Sequence, residues 1–203
     1  MFFFISITGW SLDNTPEDLS VIAGSGLSYV FGGKNLNPAA GYHIGIEKNV
    51  FQFTEKSLLN MGIIFNMQSV NYAEVYSIEP YDMQDIAVSG KVSLSYLSIP
   101  IVYRRQSKGG FFWEVGIQTG FLLRSKDQPD NGEESDYKEY VKAVDIGIPA
   151  GIGYWFNKHI SIGVRSVYGL TDMSANGAKI PPANSNHQNF IISGLLRFNI
   201  TGK

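Results

Sequence analysis

The residues best equipped for chemistry are three histidines, His43, His159 and His187, and a set of charges spaced along alternating, extended segments. His43 and Glu47 are four positions apart, so on a strand they share one face, with Ser28 and Asn60 in reach from neighbouring strands. A histidine beside a carboxylate and a hydroxyl could serve acyl transfer or hydrolysis, as in a barrel-embedded lipid-modifying enzyme or protease. No G-x-S-x-G elbow or comparable motif accompanies them. The favoured reading is therefore a hydrogen-bonded interior histidine, with no catalytic residue, cofactor or metal. The run DQPDNGEESD (127–136) has the acidity of a calcium loop but not its full ligand spacing. With no cysteines, disulfides and thiolate zinc sites are excluded.

The charges are more informative. Glu47, Glu114 and Asp145 take the same strand parity as Arg104, Arg124, Arg165 and Arg197, and His43 and Gln118 join them. If that face closes on itself, these ions must pair, because each unpaired buried ion costs several kcal/mol. The expectation is a polar plug of arginine–carboxylate pairs among glycines. It excludes a wide diffusion pore, with a narrow ion or small-solute path as the alternative.

The elements that position these groups are clearest between Val144 and Leu170. Val144, Ile146, Ile148, Ala150, Ile152, Tyr154 and Phe156 fall on one face, opposite Asp145, Gly147, Pro149, Gly151, Gly153 and Trp155. After Asn157-Lys158, Ile160, Ile162, Val164, Tyr168 and Leu170 oppose His159, Ser161, Gly163, Arg165 and Gly169. Period two makes this a β-hairpin. A face of glycines and occasional charges suits a cramped interior, so the apolar face looks outward. That is a strand crossing a bilayer in a small closed barrel.

Six further segments repeat the plan: 20–31, 40–50, 57–69, 91–105, 110–125 and 189–200. Almost every strand glycine takes the polar parity, Gly194 excepted. Eight strands predict an all-β, eight-stranded antiparallel up-and-down transmembrane β-barrel. Connections at 51–56, 106–109 and 157–158 are short, whereas 70–90, 126–138 and 171–188 read as long loops. Short periplasmic turns and long extracellular loops are the pattern of outer-membrane barrels. The long loops carry acids, among them Glu74, Glu79, Asp82, Asp85, Asp127, Asp130, Glu133, Glu134, Asp136, Glu139 and Asp172. An aromatic girdle of Tyr103, Phe111, Trp113, Phe156 and Phe198 is expected at the periplasmic edge.

Composition agrees. No apolar run approaches the roughly 18–20 residues of a membrane helix, and a mean hydropathy of −0.04 is natural where only alternate residues face lipid. The net charge of −2, without a basic cluster interleaved with aromatics, argues against nucleic acid. Residues 1–11, MFFFISITGWS, read as a truncated signal-peptide stub, or else a terminal strand or helix, leaving 12–203 as one barrel domain.

The segment YLSIPIVYRRQSKGGFFWEVGIQTGFLL (96–123) resembles the PorT-like outer-membrane β-barrel domain of Bacteroidota, where a YLxIPL strand leads through a glycine-containing turn into an aromatic-rich strand. DIGIPAGIGYWF, ISIGVRSVYGLTDM and IISGLLRFNI are similar to its later strands. The resemblance implies an eight-stranded barrel in the outer membrane and an accessory role in protein secretion or surface assembly. Ser98 stands where that family often has an acid. The resulting expectation is a monomeric barrel of structural or recognition role, contacting outer-membrane lipid, lipopolysaccharide or a protein partner at its loops or periplasmic side. A soluble lipocalin-like barrel would instead require the reverse parity, with an apolar interior.

Overall fold

The computed structural model describes residues 18–32, 35–77, 85–136, 138–175 and 187–201. The stub expected at residues 1–11 lies outside them. The strands are β1 (Leu19–Phe31), β2 (Leu36–Thr54), β3 (Ser57–Ser77), β4 (Asp85–Gln106), β5 (Phe111–Pro129), the two-residue β6 (Ser135–Asp136), β7 (Val144–Trp155), β8 (Ile160–Gly169) and β9 (Gln188–Asn199). Every pairing is antiparallel, β9 pairs β1 and β4 pairs β5, so eight strands close into a ring. The ninth, β6, only lengthens the outer end of β5 through Lys126 and Asp127.

The sequence parity decides which way the ring faces. Ile146, Ile148, Ile162 and Val164 are exposed on the outside, whereas Arg165 is 4% exposed and Arg197 1%. This is the arrangement of a barrel solvated by hydrocarbon, and it excludes the lipocalin-like alternative. Closure also leaves no unpaired sheet edge within the ring, as a bilayer requires. The start of β1 and the end of β9 meet where Ile200 N donates to Leu19 O, 2.8 Å, on the side of the short turns. Phe53, Tyr103 and Trp113 pack on the outer surface at this end, with centroids 5.8 and 5.5 Å apart, and Phe111, Phe156 and Phe198 are exposed nearby. Phe31, Tyr168 and Phe190 gather at the opposite end.

Two expectations need correction. The segments 70–90 and 126–138 are not simply loops, because β3 runs to Ser77, β4 starts at Asp85 and β5 reaches Pro129. At about 3.3 Å per residue and a tilt near 45°, a 22-residue strand climbs roughly 50 Å, about twice the ~25 Å apolar band. Above the bilayer neither face meets hydrocarbon, so pairing continues while the alternation that reveals it fades.

The second correction concerns Arg124. Inward residues of β5 are even-numbered from Phe112 to Leu122, then Ser125 is buried while Leu123 and Arg124 are both exposed. Opposite them the register jumps, Tyr96 facing Leu122 and Ser95 facing Arg124. The extra residue is a β-bulge, which reverses the parity of everything beyond it. Arg124 therefore leaves the lumen, and its side chain, 67% exposed, approaches Glu134 at 3.9 Å.

Candidate functional site

Five ions fill the middle of the barrel. Glu47 comes from β2, Arg104 from β4, Glu114 from β5, Arg165 from β8 and Arg197 from β9, each at an inward position of its strand. Glu114 accepts from Arg104 Nε and Nη2 at 3.0 and 2.9 Å and from Arg165 Nε at 2.7 Å. Glu47 accepts from Arg165 Nη2 at 2.7 Å, Arg104 Nη2 at 3.1 Å, and Arg197 Nε and Nη2 at 3.1 and 3.0 Å. Arg104 and Glu114 face each other across the β4–β5 hairpin, but the other partners lie up to 150 positions apart in sequence, so ring closure brings the five together. Phe112 covers two of the guanidinium planes, with Arg104 Cζ 5.2 Å and Arg197 Cζ 5.4 Å from its centroid. Such cation–π contacts strengthen when water is excluded.

The glycines among these ions set how close the strands come. A Cβ at Gly116 would stand 2.0 Å from Ile101 O and 2.8 Å from Val102 Cα, both backbone atoms of the neighbouring strand. At Gly153 it would meet the Phe112 ring at 2.3 Å. The interior at this depth is thus filled by the ions, by buried apolar side chains such as Ile22, Ile64, Val102 and Leu195, and by backbone where glycines stand.

Toward the extracellular end the lining changes. Asn66 Nδ2 donates to Ser98 Oγ at 2.6 Å, and Asn189 Nδ2 donates to Gln68 Oε1 at 2.5 Å, spanning the lumen between β9 and β3. Beyond them Val30, Val70, Leu94, Tyr96, Leu122, Val141 and Met173 form a buried apolar layer. The interior is therefore not polar throughout, and this layer was missed because inward apolar residues break the alternation. The inward parity of Tyr96 and Leu122 on their strands is the signal the sequence offers for it.

The remaining expected residues take no part in the hydrogen bonds of the ion cluster. The His43 ring lies against Gly24, whose added Cβ would be 2.5 Å from it. Gln118 is half-buried opposite Gly147. Asp145 accepts from Thr171 Oγ1 near the extracellular rim. His159 sits at the turn end, its Nδ1 3.1 Å from Asn199 O. His187 Nδ1 lies 3.2 Å from Ser174 Oγ, and Asp172 is adjacent. Asp172 Oδ1 accepts from the backbone amides of Ser174 and His187, both at 3.1 Å. Burial would raise the Asp172 carboxyl; those two amides and the Lys142 charge outweigh it and hold the group below its ordinary value.

Outside the membrane the acids are partly engaged. Glu134 pairs with Lys126 and accepts from Gln128 Nε2 at 2.9 Å, and these hydrogen bonds lower its carboxyl below the usual range. Tyr72 Oη donates to Asp127 Oδ1 at 2.9 Å and Ser89 Oγ to Asp130 Oδ2 at 2.5 Å, which ties the β3, β4 and β5 extensions together. Among the described residues no group of three or more His, Cys, Asp or Glu could hold a metal.

Residues 18–175 match the outer membrane protein beta-barrel domain. The chain belongs to that family. This outer-membrane barrel is also similar in fold to neisserial surface protein A, with a TM-score of 0.56 at 11% identity, covering 90% of this chain and 97% of that one. Weaker likenesses are to the outer membrane protease OmpT from Escherichia coli (TM-score 0.49, 11% identity, 95% and 99% covered) and to Ail, the attachment invasion locus protein of Yersinia pestis (0.44, 13%, 90% and 100%). No curated relative matches the barrel in sequence. Its place is the outer membrane of a Gram-negative cell.

Proposed function

We propose that this barrel is a monomeric, non-enzymatic recognition protein that works through its extracellular end rather than through its lumen. The observation that carries the reading is the double closure of the interior: a five-ion cluster at mid-depth and an apolar layer above it. Eight strands leave room only for side chains, and from mid-depth to the apolar layer they occupy it. The surface left for work is the extension of β3, β4 and β5 above the bilayer, with Glu133, Asp136 and Glu139 exposed on and beside it. Clustered carboxylates there suit a basic protein partner, or lipopolysaccharide through bridging divalent cations.

The likeness of residues 96–123 to PorT-like barrels of Bacteroidota supports a more specific version, in which the partner belongs to a secretion or surface-assembly machine. Crosslinking in intact cells, followed by purification of the barrel from outer membranes, tests the reading. A partner captured by the native chain, and lost when Glu133, Asp136 and Glu139 are changed to Gln, supports it. Large, stable unitary conductance of the purified barrel in planar bilayers would overturn it.

A further inference from the structure

The opposite, periplasmic end holds a feature that the extracellular reading does not use. Below the ion cluster the lumen opens into a cavity of about 520 Å³, between the β4–β5 turn, the β7–β8 turn, the start of β1 and the end of β9. That volume is within the range of small-molecule sites. Its rim carries Lys108 and Lys158, and its inner end reaches Arg104; Asp18 is the one carboxylate in the lining.

Beneath this basic mouth the hydrogen-bond inventory is unbalanced. Asn49 and Asn60, 1% and 4% exposed, line the cavity, and neither amide nitrogen has a protein partner. Trp155 Nε1, also in the lining, has none, nor has Arg197 Nη1 in the adjoining cluster. These groups are donors; Asn49 Oδ1 is the one partnerless acceptor among them. The ion cluster adds to the imbalance, since three guanidinium groups surround two carboxylates and leave one positive charge in excess. Buried donors without acceptors and a surplus buried cation both cost free energy, and one kind of group relieves both: an oxyanion.

We propose that the periplasmic vestibule is a binding site for a small oxyanion, a phosphate or a carboxylate. The anion enters past Lys108 and Lys158, accepts from Asn49, Asn60 and Trp155 as their side chains turn toward it, and offsets the excess charge of the arginine cluster. The inference is independent of any extracellular partner, because the two sites lie at opposite ends of a sealed lumen.

Trp155 supplies the reporter. In the full chain carrying Trp10→Phe and Trp113→Phe, folded in detergent micelles, Trp155 emission is titrated with inorganic phosphate, with a short peptide acid and with the same peptide amidated. Chloride at matched ionic strength serves as reference. Saturable change with phosphate and with the acid, but not the amide, shows recognition of the oxyanion whatever carries it. Saturation by phosphate alone identifies a phosphate ligand, and by the acid alone a chain terminus. The Lys108→Gln/Lys158→Gln variant, altered only at the exposed rim, weakens binding about fivefold at low salt. Asn49→Leu abolishes it, and should that variant fail to fold, the rim variant still decides. No saturation beyond the chloride response, or undiminished affinity in the rim variant, overturns the proposal.

Discussion

Replacing Glu47 by Gln tests the central claim about the interior, that five mutually dependent ions hold the ring closed. Glu47 accepts four charge-assisted hydrogen bonds from three arginines, at 2.7 to 3.1 Å, at 2% exposure. Glutamine keeps the shape and one acceptor oxygen but turns an amide NH₂ toward guanidinium donors. It also raises the uncompensated buried charge from one to two. Removing one partner from a buried ion pair costs about 3–5 kcal/mol. With a urea dependence of about 2 kcal/mol per molar, that moves the unfolding midpoint down by roughly 1.5–2.5 M. The assay is urea unfolding of the barrel in phosphocholine vesicles, followed by tryptophan emission and by the gel mobility of folded and unfolded forms. Glu134→Gln, at an exposed pair beyond the bilayer, is the control and leaves the midpoint in place. Glu47→Gln/Arg197→Gln restores the original charge excess, so its loss is smaller than the sum of the single losses. A Glu47→Gln shift below about 0.5 M, or simple additivity in the double variant, would refute the reasoning.

The close approach of strands gives a second test. Gly116→Ala must push β4 and β5 apart, since both atoms its Cβ meets are backbone, and it loses about 1–3 kcal/mol in the same urea assay. Gly194→Ala, on the outer surface with Ser25 O at 3.8 Å the only near atom, leaves the midpoint unchanged. The third concerns pH at the extracellular rim. Because the folded Asp172 carboxyl is held below its ordinary value, its contribution is complete above the unfolded pKa and is lost as pH falls through the depressed folded one. Hydrogen exchange at the Ser174 and His187 amides, corrected for intrinsic rates, is accordingly steady from neutral pH down to the ordinary carboxylate range. It accelerates only below that range, and Asp172→Asn removes the step.

The alternation of side chains was enough to assign the fold and its solvent. In a strand the two faces are fixed by parity, so Ile146 or Val164 on one side and Gly163 or Arg165 on the other declare which face meets hydrocarbon, wherever the strand lies in space. The same parity placed Glu47, Arg104, Glu114, Arg165 and Arg197 in the interior, since a lone charge has no stable place in lipid. Parity fails where its cause fails. It could not show that a bulge at Leu123 turns Arg124 outward, because a bulge is set by the register between two strands and not by either alone. It could not follow β3 to Ser77 or β4 back to Asp85, where water wets both faces and the contrast disappears.

Nor does strand parity carry depth or partners. Which guanidinium meets which carboxylate depends on the stagger with which the ring closes, bringing together residues 118 and 150 positions apart. Closure also stacks Leu94, Tyr96 and Leu122 into an apolar layer and leaves the donors of Asn49 and Trp155 over a basic vestibule. The sequence by itself determined a barrel turned outward to lipid and the kinds of residue it encloses, because those follow from the local geometry of a strand. The tertiary structure alone decided how those residues are layered and paired, because that depends on distances between strands that no single strand encodes.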